Sequence, residues 1–145
     1  MTYGEPHVDV LIAEYNAHPV HNFAMEDATV FRHEGNFICG DDITVYLRIE
    51  DETIQNFSFD GNTASITTAG ASLLAELIIG KSLDEVMERG YDTLSAQGLN
   101  VLPRRRRAAV IALLATRNAI HLYRKDTLPG TEDIIVEEFE DLLDD

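Results

Sequence analysis

The sequence predicts an α+β fold, a three-stranded antiparallel sheet packed by helices on one face. Residues 43–50 carry the clearest signal: Ile43, Val45, Leu47 and Ile49 alternate with Thr44, Tyr46, Arg48 and Glu50, the period of a half-buried strand. A second run, Thr53 to Phe59, follows after only Asp51 and Glu52, so the two read as a hairpin whose turn lacks glycine. Beyond residue 65 the apolar spacing changes to that of helices.

Taken in order, the chain opens with a short helix over Val8–Ala17, where Val8, Leu11, Ile12 and Tyr15 share a stripe. Pro19 ends it, because a proline disfavours a helical residue before it. Ala28 to His33 supplies the third strand. Asn36 to Asp42 is a turn containing Cys39, the only cysteine. Asp60-Gly61-Asn62 is a further turn. A helix then runs to about Ile79, with Ile66, Gly70, Leu73 and Leu77 on one stripe and Gly80 as its stop. Ser82 and Glu85 form a capping box, so a helix starts at Leu83 and ends near Arg89-Gly90. Thr93 to Leu102 carries no clear pattern. Pro103 opens the longest helix, to about Arg124, apolar nearly all round between Ala108 and Tyr123 and so buried on more than one side. Leu128-Pro129-Gly130 breaks it, and Ile134 to Leu143 reads as a short amphipathic acidic helix. Residues 1–130 thus form a single domain, and 131–145 an acidic tail or short helix.

Composition narrows the function. The 145 residues suit one domain with a real core, and no apolar run approaches the roughly 20 residues that span a bilayer, so no membrane association is expected. The opening MTYGEPHVDV has neither a basic start nor an apolar signal core. A lone cysteine excludes an intramolecular disulfide and fits a reducing compartment, the cytoplasm. A formal charge of −15 argues against nucleic-acid binding, because phosphate backbones repel it. The charge is uneven: Arg104, Arg105, Arg106 and Arg107 form a basic block, while the tail from Thr131 to Asp145 is acidic. Cations at a helix start oppose its dipole by about 0.3–1 kcal/mol each, so four together are poorly explained by helix stability.

Several motifs in sequence share one order. They are Cys39-Gly40-Asp41, Phe59-Asp60-Gly61, Glu76 with Gly80-Lys81, and Ala119-Ile120, preceded by Tyr15, Pro19, Asn22 and Phe23. This order resembles the NifU/IscU/SufU family of iron-sulfur cluster assembly scaffolds, and SufU most closely, over about residues 8 to 124. The resemblance implies the same α+β architecture. It also implies three cysteines at a metal site, with Asp41 as a further ligand or as a residue that tunes how readily a cluster leaves. Cys39 matches the first cysteine. The second family position, after Phe-Asp-Gly, is Ala64, and the third, counted back from Ala119-Ile120, is Ala112.

Alanine supplies no ligand. Tetrahedral iron or zinc needs about three thiolates and one further donor, and Cys39 with Asp41 leaves one thiolate and one carboxylate. The expectation is a monomer that holds no stable cofactor, with an iron-sulfur cluster or zinc bound only through added ligands. Among histidines, His18, His21, His33 and His121 stand at no recognisable ligand spacing. Two chains sharing a cluster between two Cys39 residues, as a homodimer, would satisfy the chemistry, though no sequence feature demands it. Cys39 as a sulfur acceptor and Cys39 as a turn residue without chemistry both stay open, since Asp41 and Asp42 beside it disfavour the thiolate. Ser65, Thr67, Thr68 and Ser72 have no base or oxyanion signature around them, so no enzyme activity is expected. The reading that results is a scaffold-like protein of iron-sulfur assembly with a degenerate metal site. It would act in an accessory, sulfur- or iron-handling or regulatory role by docking to a protein partner through Arg104–Arg107. A cysteine desulfurase or another protein of the pathway is the partner implied. The alternative is an adaptor outside iron-sulfur assembly that retains only the fold.

Overall fold

A computed structural model of the chain describes residues 6–36, 41–125 and 137–143. Its centre is strand β2, Asp41–Glu50, whose alternation is realised: Ile43, Val45, Leu47 and Ile49 are all buried, and the residues between them are less so. Strand β1, Val30–Asn36, pairs antiparallel with it, Val30 opposite Leu47 and Asn36 opposite Asp41. Strand β3, Thr53–Asp60, pairs on the other side, with Phe59 opposite Val45. The order β1-β2-β3 makes a three-stranded antiparallel sheet among the described residues.

The hairpin between β2 and β3 turns at Asp51 and Glu52 with φ of 52° and 57°. Two successive left-handed residues match the strand twist of a tight hairpin, a geometry usually marked by Asn-Gly. Here tertiary contacts hold it: Leu83 donates to the Glu52 carbonyl at 2.9 Å, and Ile54 donates to that of Lys81 at 2.9 Å.

Helix α1, Pro6–Ala17, starts two residues before the expected Val8, with proline at its first position, where no N–H is needed. It lies on helix α2, Ser65–Ile78. Helix α2 packs on the longest helix, Arg106–Arg124, which in turn lies against β1 and β2. The two helices approach closely because Gly70 has no side chain: a Cβ there would stand 2.3 Å from the carbonyl oxygen of Ala109. Between them come two short helices, α3 (Leu83–Met87) and α4 (Tyr91–Ala96), which makes the long helix α5. The Ser82–Glu85 capping box is present, but α3 stops two residues short of the expected Arg89. Helix α4 falls partly where the sequence shows no clear pattern. Its Tyr91 hydroxyl accepts from Val101 N at 2.9 Å and so closes the following loop. Pro103–Arg105 form one 3-10 turn leading into α5.

Within the tail, residues 137–143 form a single 3-10 turn, Phe139–Asp141, instead of the expected amphipathic helix, while 134–136 lie outside the described residues. Tertiary contacts hold this segment: Leu142 is buried and its carbonyl accepts from Tyr91 N at 2.9 Å. Among the described residues, no helix is long and apolar enough to cross a membrane.

Candidate functional site

The Phe59-Asp60-Gly61 turn connects the sheet to α2, and each residue has a structural task. Phe59 is fully buried and its N–H donates to the His21 carbonyl at 3.0 Å. Asp60 accepts from the Tyr46 hydroxyl at 3.0 Å, and burial together with this bond holds the Tyr46 phenol above its ordinary pKa. Gly61 has φ 130°, and a Cβ there would lie 2.6 Å from the Asp42 carbonyl oxygen. The turn therefore seats the start of α2 against the start of β2.

At that seat stands Asp41. Its carboxylate is almost wholly buried. One oxygen accepts from Ala64 N at 3.1 Å, and the other accepts from the Thr67 hydroxyl. Ala64 is the N-cap of α2 and offers no capping side chain, so a carboxylate from the neighbouring strand takes that task. Cys39 lies outside the described residues.

Beside Asp41 opens a cleft of about 390 Å³. Asp41, Ala64, Ser65 and Ile66 form one wall. The 3-10 turn and the start of α5 form the other, with Arg104, Arg105, Arg107 and Ala108. The structure thus brings together Asp41, Ala64 and three of the four arginines picked out in the sequence. It turns Arg106 elsewhere, its guanidinium 4.8 Å from the centre of the Tyr91 ring. Arg107 also stacks 5.2 Å from the Phe139 ring and lies 3.8 Å from Glu140, a contact between the basic block and the acidic tail.

Ala112 is not among the residues that line the cleft. It lies one turn further along α5, 2 % exposed, within the core. Ala108 occupies the cleft wall instead. Positions four apart share a helix face, so Ala108 and Ala112 lie on the same side of α5 at different depths. None of the four histidines considered lines the cleft. His121 pairs with Glu137 at 2.6 Å, and His33 lies 3.6 Å from Asp42 on the surface. Among the described residues no group of three or more His, Cys, Asp or Glu stands together as a metal site would require.

A polar cluster that sequence reasoning missed fixes the tail. The Glu137 carboxylate is buried against Arg117 at 2.7 Å and His121 at 2.6 Å. The Asn118 side chain accepts from Glu137 N at 2.9 Å and donates to its carbonyl at 3.2 Å. The same amide donates to Glu34 on β1 at 3.0 Å. The available signal was the polar set Arg117, Asn118 and His121 on an otherwise apolar helix.

The model of the family described as the NifU-like N terminal domain matches residues 8–128. A stretch of 62 residues is 42% identical to the iron-sulfur cluster assembly scaffold protein IscU of Thermotoga maritima, covering 43% of this chain and 44% of that protein. Over 97 residues the chain is 30% identical to IscU 1 of Archaeoglobus fulgidus, covering 66% of this chain and 63% of that one. The matches thus span less than two thirds of either relative. Among solved structures, a putative iron-sulfur cluster assembly scaffold protein for the SUF system from Fervidobacterium islandicum aligns with a TM-score of 0.66 at 20% identity, over 76% of this chain and 93% of that one. The N-terminal NifU-like protein of Brucella abortus gives 0.65 at 18%, over 81% and 94%. These structural likenesses bear on the fold alone.

Proposed function

The chain belongs to the family of the NifU-like N-terminal domain, and from that membership we propose that it serves iron-sulfur cluster assembly as a scaffold-like protein that docks partners without holding a cluster of its own. The observation that carries this reading is the cleft beside Asp41. Of the two positions where the resemblance calls for further thiolates, Ala64 lines the cleft and Ala112 lies buried one turn beyond Ala108, and neither supplies a ligand. The one carboxylate there accepts from Thr67 and from Ala64 N, and by itself it is one donor where a tetrahedral metal needs four. Three arginines among the residues that line the same cleft oppose a cation by simple repulsion. The donor set does not fit a cluster, which in this family is cargo and not a resident cofactor. Cys39 alone would contribute a single thiolate, and any iron or sulfur it handles would need ligands from a partner.

The partner class follows from the family: a cysteine desulfurase or another iron-sulfur pathway protein. The role is accessory or regulatory and involves no enzyme chemistry of the chain's own. A competition experiment tests it. A cysteine desulfurase and a three-cysteine scaffold are mixed with increasing amounts of this protein, and cluster formation on the scaffold is followed by absorbance. A concentration-dependent change in rate, with direct desulfurase binding, is expected. No binding and no effect at a large excess would remove the chain from the pathway.

A further inference from the structure

We propose that the arginine-lined cleft is a binding site for a small phosphomonoester. Among the described residues Arg104 and Arg105 have no ion pair, although the chain carries a formal charge of −15 and anionic side chains are plentiful. Both residues line the cleft, as does Arg107, whose guanidinium also lies 3.8 Å from Glu140. The single carboxylate on the opposite wall, Asp41, is buried, with both oxygens accepting hydrogen bonds. The balance inside the cleft is therefore positive in a molecule that is otherwise strongly negative.

The number of cations selects the ligand. One arginine satisfies a carboxylate through its two parallel N–H donors. Three arginines lining one cleft suit a dianion with three terminal oxygens, which is a phosphoryl group on a single ester. The cleft volume of about 390 Å³ exceeds what a bare phosphate fills and falls in the range of small-molecule sites. Ala64, Ile66 and Ala108 supply apolar wall for the organic part. The cleft's charge would select this ligand whatever pathway the chain serves.

The test uses the full chain and three probes: phenyl phosphate, inorganic phosphate and benzoate. Binding is followed by amide chemical shifts and calorimetry at low salt. Phenyl phosphate is expected to bind, to shift amides of residues 64–66 and 104–108, and to bind more tightly than either other probe. Arg104→Gln with Arg105→Gln, both exposed, should lose about tenfold or more in affinity with an unchanged fold. Arg106→Gln, turned toward Tyr91, should bind as the parent does. Benzoate binding as tightly as phenyl phosphate would overturn the phosphoryl assignment. Inorganic phosphate matching the ester would overturn the assigned apolar wall. Absence of phenyl phosphate binding, or full binding by the Arg104/Arg105 variant, would overturn the site altogether.

Discussion

Asp41 shows how far a single residue can be read from sequence. Its place after Cys-Gly marks it as a family-matched donor, yet nothing in the local sequence reveals that Thr67, 26 residues on, already binds its carboxylate. Ala64 was legible for the opposite reason: the Phe59-Asp60-Gly61 turn fixes its register within a few residues. For the third position the motif spacing points to Ala112, but a helix repeats its face each turn and only packing sets the depth, which leaves Ala112 in the core and Ala108 on the cleft wall. A direct comparison follows. Ala64→Cys with Ala108→Cys should raise zinc affinity sharply, since each added thiolate contributes a strong bond. Ala64→Cys with Ala112→Cys, its second thiol buried one turn away, should raise it far less. Zinc titration against a chromophoric chelator checks both, and equal gains would favour the deeper position. A second residue links helices. Tyr15 donates to Glu76, and burial together with that carboxylate raises its pKa from 10.0 to about 12. Because the folded value lies above the unfolded one, its contribution is complete below pH 10 and is lost as pH rises through about 12. Denaturant titrations across that window should show a loss of stability that Tyr15→Phe removes.

The strands were legible because one face is buried and the period of two leaves little choice of register. The short helices α3 and α4 were not. Helix α4 is followed by a loop that Tyr91 closes onto Val101, a contact that no local periodicity announces. The tail segment 137–143 shows the same limit, since its shape is set by what it touches on α4 and α5. The α2–α5 pair carries the sharpest prediction at this scale. Gly70 was visible as part of an apolar stripe, but its purpose appears only where the Ala109 carbonyl approaches. Gly70→Ala should force the helices apart and cost about 1–3 kcal/mol, even though alanine favours helices by about 1 kcal/mol over glycine. Chemical denaturation checks the sign: a more stable variant would mean that the close approach is absent in solution.

At the scale of the whole molecule, family motifs, sheet and helix order all agree. The proposed function keeps that fold and changes what its site does. The acidic tail belongs to this picture. Glu137 sits between Arg117 and His121, so Glu137→Gln should weaken two charged contacts at once and cost about 1–3 kcal/mol. Thermal unfolding of the variant, beside a deletion of residues 131–145, measures that cost. An unchanged midpoint in both would show that the tail contributes nothing to stability. The central claim is that the family fold persists without a cluster site of its own. Anaerobic reconstitution with ferrous iron and sulfide, followed by desalting, metal analysis and an absorption spectrum, tests it most directly. The account expects iron far below one per chain and no sulfide-to-iron absorption. Stoichiometric iron that survives desalting, and is lost in Cys39→Ser, would contradict it.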